Sequence, residues 1–88
     1  MIISTLKKGG FFMNITVYST STCPWCTKAK DYLKSKGVDY KEVNVGIDRE
    51  GAIEMVKKSG QQGVPVIDID GTIIIGFDQR RIDSLITQ

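Results

Sequence analysis

Residues 14–36 read NITVYSTSTCPWCTKAKDYLKSK, and the stretch changes character twice. Residues 14–19, NITVYS, are β-branched and aromatic, the composition of a strand. A turn, TSTCP, follows. Residues 24–36 then place Ala29, Tyr32 and Leu33 at i, i+3, i+4 spacing, with Lys28, Lys30 and Lys34 left for solvent, which predicts a helix. Pro24 suits the first helical turn, where no backbone N–H is needed, and Gly37 supplies a stop. The chain has two cysteines, and both Cys23 and Cys26 fall at this strand-to-helix junction.

Beyond this unit, residues 38–45 (VDYKEVNV) predict a second strand carrying Val38, Tyr40, Val43 and Val45, with an imperfect register between Tyr40 and Val43. A second helix is expected over 48–59, with Asp48 as N-cap, Ile53 and Val56 on its inner face, and Gly60 at its end. VPVIDID (64–70) and GTIIIG (71–76) flank Asp70-Gly71, a strong hairpin signal. Residues 78–87 predict a last helix capped by Asp78 and buried along Ile82, Leu85 and Ile86. The order β-α-β-α-β-β-α, with a right-handed parallel crossover first and an antiparallel hairpin last, gives an α/β architecture: a four-stranded mixed sheet flanked by helices.

Composition narrows the function classes. Eighty-eight residues, 41% hydrophobic and 25% charged, make one domain with a modest core. The net charge of +2 comes from 12 basic and 10 acidic residues. The basic residues form no stripe, so no nucleic-acid partner is expected. No apolar run approaches the roughly 18 residues of a membrane helix. The N-terminus has neither a long apolar stretch nor a small-residue cleavage pattern, so the cytoplasm is the expected location.

Cys23 sits at the mouth of the first helix and Cys26 one turn inside it. Residues i and i+3 share a helix face, so the two sulfurs can come within bonding reach. The helix N-terminus favours a thiolate at Cys23, and Lys28 and Lys30 add positive charge nearby. Cys26 is expected to be the more buried and more protonated partner. The pair then suits thiol–disulfide exchange: Cys23 attacks a substrate disulfide and Cys26 resolves the mixed disulfide. Pro24 holds the active-site loop, and Trp25 offers a flat apolar surface beside the sulfurs. A closed zinc site wants four ligands, usually Cys or His, and this chain has two Cys and no His, so no metal ligand set is expected within one chain. A structural disulfide over so short a loop gains little. Pro65 opens a β run; a cis Val64-Pro65 bond would turn this backbone toward the cysteines and leave Val64 to pair with an extended substrate.

The combination of TVYST and CPWC, GVPV and IGFD resembles the glutaredoxin family, whose members have the thioredoxin-like fold, and the resemblance spans residues 14–87. It implies that Cys23 is the nucleophile, Cys26 the resolving thiol and Pro65 a cis-proline. It further implies substrate contacts at Gln61, Val64, Pro65, Gly76, Phe77 and Asp78. No organic cofactor is implied, because the thiols carry the electrons. Basic residues common in glutathione-binding members are replaced here by Thr20 before the first cysteine and by Gln61 and Gln62 before the proline loop, and one of two glycines becomes Ile75. The ending IGFDQRRI is similar to the small redoxins that serve ribonucleotide reductase. Two electron donors therefore stay open, glutathione or thioredoxin reductase, with protein disulfides or glutathione mixed disulfides as substrates and a monomer as the working form. The alternative from another class is an iron–sulfur cluster binding and delivery module bridging two chains.

Residues 1–12 fit none of this, and the domain is expected to span 13–88. Synonymous codons for KKGGFFM spell an A-rich run, GGAGGA, a T-rich run and ATG, the form of a bacterial ribosome-binding site read as protein. On that reading Met13 is the natural start; a flexible tail or an extra edge strand are the other readings. Intact mass of the protein from its native cell is expected to begin at Met13, and a mass that includes residues 1–12 overturns this expectation.

Overall fold

The structure, a computed structural model, describes residues 14–86. The expectations for residues 1–13, including the start at Met13, and for residue 87 at the end of the last helix lie outside the described residues. Seven elements follow in the expected order: β1 (Ile15–Ser19), α1 (Pro24–Ser35), β2 (Lys41–Asn44), α2 (Arg49–Ser59), β3 (Val66–Ile69), β4 (Thr72–Ile75) and α3 (Gln79–Ile86). They form an α/β thioredoxin-like fold around one four-stranded sheet in the order β2-β1-β3-β4. β2 runs parallel to β1, while β3 is antiparallel to both β1 and β4.

Alternation along the strands divides the core between the two sheet faces. Ile15, Val17, Ile67, Ile69 and Ile74 face α1 and α3, where Ala29, Leu33, Ile82 and Ile86 complete one cluster. Tyr18, Val43 and Val66 face α2 and meet Met55. Tyr18 is buried, so its hydroxyl needs a partner; Lys58 of α2 donates to it at 2.9 Å and to Asp68 at 2.8 Å.

Local chemistry sets the element ends. Asp48 caps α2 by accepting the Gly51 N–H at 2.9 Å. Asp78 caps α3 by accepting the Arg81 N–H at 3.2 Å. The β3–β4 hairpin turns through Asp70 at φ 51° and Gly71 at φ 95°, the two positive values that a two-residue primed turn requires.

Two expectations change. The second strand covers Lys41–Asn44 rather than 38–45. The Val38 N–H is still closing α1 on the Leu33 carbonyl at 3.1 Å, and pairing with β1 starts only at Thr16↔Lys41. On α2, Ile53 does not face inward: it is 50% exposed, and the buried positions are Gly51 and Met55. A Cβ at residue 51 would overlap Val43 Cγ1 and crowd Asp48 Oδ2 at 3.1 Å. The close approach of α2 to β2 thus needs a glycine there and centres the inner face on it. Helix propensity favours Gly51→Ala by about 1 kcal/mol. We expect the clash to dominate, with a net loss of about 1–3 kcal/mol in urea unfolding; a stabilised variant would show that α2 packs otherwise.

Candidate active site

The sheet register assembles the site. Tyr18 pairs with Val66, and Val66 pairs with Ile75. The end of β1, the start of β3 and the end of β4 therefore lie side by side at one end of the sheet. The segments attached there carry the cysteines, Val64-Pro65 and Gly76-Phe77-Asp78.

Cys23 is the N-cap residue of α1, with extended backbone at φ −94° and ψ 110°. Its sulfur takes the place that a Ser or Asp oxygen takes at other helix starts, accepting the Cys26 N–H at 3.2 Å. The same sulfur lies 3.9 Å from the Val64 carbonyl oxygen. The Val64-Pro65 bond is cis, and the Pro65 carbonyl accepts the Gly76 N–H at 2.8 Å, tying the proline loop to the end of β4. Gly76 sits at φ 83°, a conformation that favours glycine.

The two sulfurs are unequal. Both are free thiols; Cys23 is partly exposed and Cys26 is 0% exposed. Burial, then the hydrogen bond with Cys23, pushes the Cys26 thiol from the ordinary 9.0 up to about 11. The Thr20 backbone and the Lys30 charge oppose this rise.

Trp25 is 57% exposed, with the Lys28 ammonium 5.2 Å from its ring centre. Phe77 lies 6.5 Å from Trp25 and 5.9 Å from Tyr32 between ring centres, edge-on to the latter. Trp25, Val64, Pro65, Gly76 and Phe77 line an open cleft of about 290 Å³ beside Cys23. None of these five is charged.

Two of the six contact residues expected from sequence are otherwise occupied. The Gln61 side chain closes on its own loop, donating to the Gly63 carbonyl at 3.0 Å and accepting the Gly63 N–H at 2.7 Å. One Asp78 carboxylate oxygen caps α3. Neither residue lines the cleft, whereas Val64, Pro65, Gly76 and Phe77 do. Sequence reasoning placed Lys28 and Lys30 near the sulfurs without a direction: Lys28 stacks on Trp25, and Lys30 forms an ion pair with Glu42 at 2.7 Å. It missed Ser19 and Glu42. Ser19 is wholly buried, and its hydroxyl donates to Glu42 at 3.1 Å. A lone Ser ending a strand gives no signal of such a role. Among the described residues no group of three or more His, Cys, Asp or Glu is placed to hold a metal ion, and no helix is long and apolar enough to cross a membrane.

The raised Cys26 value has a signed consequence. The fold favours the protonated thiol, so its contribution to stability is complete below 9.0 and is lost as pH rises through about 11. The stability advantage of the native chain over Cys26→Ala is expected to shrink across that interval in denaturant unfolding. An advantage that is constant with pH would contradict it.

The family model for glutaredoxin matches residues 15–74. An uncharacterised glutaredoxin-like 8.6 kDa protein of a Clostridium pasteurianum rubredoxin operon is 57% identical over 72 residues, spanning 82% of this chain and 96% of that protein. Glutaredoxin 3 of Escherichia coli K12 is 42% identical over 65 residues, spanning 74% of this chain and 78% of that one. The crystal structure of the glutaredoxin of Archaeoglobus fulgidus superposes with a TM-score of 0.77, covering 98% of both chains at 24% identity, and shares the fold. With the family model spanning residues 15–74, these relatives and a CxxC pair at the start of α1, the chain belongs to the glutaredoxin family.

Proposed function

We propose that the protein is a thiol–disulfide oxidoreductase that reduces disulfides through Cys23 and Cys26 in a reducing compartment such as the cytoplasm. The observation that carries this reading is the inequality of the two sulfurs: a partly exposed one at the N-cap of α1 and a wholly buried one a turn inside. Cys23 is the nucleophile. Its thiolate attacks one sulfur of a substrate disulfide, forms a mixed disulfide and expels the other sulfur as a thiolate, which takes up a proton. Cys26 then attacks the Cys23 sulfur. The Cys23–Cys26 disulfide forms, the bond to substrate breaks, and two electrons leave with the second substrate thiol. Pro24 begins the helix that presents both sulfurs, as proline does at a first turn.

The cleft beside Cys23 supports a substrate in extended form. Trp25 and Phe77 supply aromatic surface, and Val64 and Pro65 supply aliphatic lining. The five lining residues offer a glutathione carboxylate no cation, the Lys28 ammonium being stacked on the Trp25 ring, and Gln61 already spends its amide on Gly63. Charge-assisted bonds are the strong ones in carboxylate recognition. Their absence from the lining favours protein disulfides as substrates and a thioredoxin reductase, rather than glutathione, as the electron donor.

One experiment addresses both points. A protein disulfide is supplied with NADPH and either thioredoxin reductase, or glutathione with glutathione reductase. Turnover is expected chiefly with thioredoxin reductase; equal or faster turnover with glutathione overturns the donor reading. Cys23→Ser is expected to abolish turnover. Cys26→Ser should retain the first attack and accumulate a mixed disulfide visible by mass. If Cys23→Ser keeps full activity, the oxidoreductase reading fails.

A further inference from the structure

Cys26 must attack from a site that water does not reach, with a thiol that the fold holds protonated. The surroundings of its helix face show how the attack is prepared. Lys30 follows Cys26 by four residues on α1, so the two side chains lie one above the other. The Lys30 ammonium does not wander in solvent: Glu42 of β2 holds it at 2.7 Å. Glu42 is in turn fastened by the hydroxyl of Ser19 at 3.1 Å, and Ser19 is 0% exposed at the end of β1. The next residue is Thr20, whose backbone favours the ionised form of the Cys26 thiol. The chain from Cys26 through Lys30, Glu42 and Ser19 thus returns to the residue beside the thiol.

A half-exposed ion pair contributes only about 0–1 kcal/mol to stability. What this pair fixes is the place of a positive charge. We propose that Lys30, anchored by Glu42 and Ser19, is a positioning residue that readies Cys26 for its attack on the mixed disulfide. The proposal rests on the two-thiol reading above.

The groups facing Cys26 differ before and after the first step. In the free protein Cys23 opposes ionisation of Cys26 through both its hydrogen bond and its charge, and burial adds to this. In the mixed disulfide the Cys23 sulfur bears neither a proton nor a charge. Burial then remains on one side, and the Thr20 backbone and the Lys30 charge on the other. Glu42, flanked by Lys34, and Tyr40 are the further titratable groups that act on Lys30 or its anchor. Formation of the mixed disulfide therefore releases the restraint on Cys26, and Lys30 stabilises the thiolate as it forms. The Cys26 proton ends on the departing substrate thiolate, the Cys23–substrate bond breaks as the Cys23–Cys26 bond forms, and Lys30 keeps its own proton throughout.

The test uses the reduced full chain and dithiobis(nitrobenzoate), an aromatic disulfide whose released thiolate absorbs visible light. The first release reports attack by Cys23, and the second reports resolution by Cys26. Both are timed across pH in the native chain and in Lys30→Met, Lys30→Gln and Lys30→Arg. Both neutral variants are expected to keep the first rate and to slow the second by about twofold to fourfold near neutral pH, the effect of half a unit to one unit in thiol acidity once the greater nucleophilicity of the less acidic thiol is counted. Their second-phase profiles should move to higher pH, and Lys30→Arg should restore the native profile. Second-phase profiles that superpose on the native one overturn the proposal. A first phase slowed as much as the second in both neutral variants marks a merely structural role and overturns it too. A native chain that releases only one equivalent overturns the two-thiol reading itself.

Discussion

The pairing of β1 with β3 is the constraint on which the site depends. Both are interior strands, and each side chain on one face of the pair is buried under a helix. A slip of one residue in β1 would send Val17 to the face that holds Val66 and Tyr18 to the face that holds Ile67, and both clusters would fail together. This register is therefore held by the whole core. It brings Ser19, Val66 and Ile75 to one end of the sheet, so the segments beyond them have no choice but to meet. The cysteine turn, the proline loop and the Gly76 turn are neighbours because the hydrophobic alternation of the strands makes them so.

A second consequence is the inequality of the two sulfurs. The end of β1 delivers the chain to the start of α1, where the first residue outside the helix is at the surface and the third residue inside it points at the sheet. Cys23 occupies the former position and Cys26 the latter. One backbone path thus gives one sulfur access and takes water from the other. Burial that costs a charged group dearly costs a neutral thiol little, so the resting protein tolerates Cys26 in its core and pushes its acidity down. In the proposed mechanism the same sulfur ionises when a substrate is bound, and the groups that oppose burial there, the Thr20 backbone and the Lys30 charge, come from the turn and from the helix face above it.

The two sheet faces each settle a polar group in this way. On the α2 face, the buried Tyr18 hydroxyl meets Lys58, which Asp68 also holds. On the α1 face, the buried Ser19 hydroxyl meets Glu42, which Lys30 also holds. Each is a hydroxyl below a charge pair at the rim of the core, the arrangement that gives each buried hydroxyl a polar partner. They differ in what lies next to them: the first adjoins the hairpin end of the sheet, and the second adjoins Cys26.

The sequence by itself determined whatever is decided within a few residues. The order of elements, the Asp48 and Asp78 caps, the Asp70-Gly71 turn and the placing of Cys23 and Cys26 at a helix start all follow from local backbone geometry and local hydrogen bonds, which a short window of sequence contains. Val64-Pro65 was legible as the start of a β run and, through family resemblance, as a cis bond. Tertiary structure alone decided which face α2 turns inward, because a close approach to Val43 at Gly51 outweighs the apolar pull of Ile53. It alone closed Gln61 onto Gly63 in a loop clasp. And it alone joined Lys30 to Glu42 and Ser19, residues contributed by a helix and two strands. Charges on a helix read from sequence have a spacing but no partner; the partner is chosen by which strand the packing of the core sets beside them.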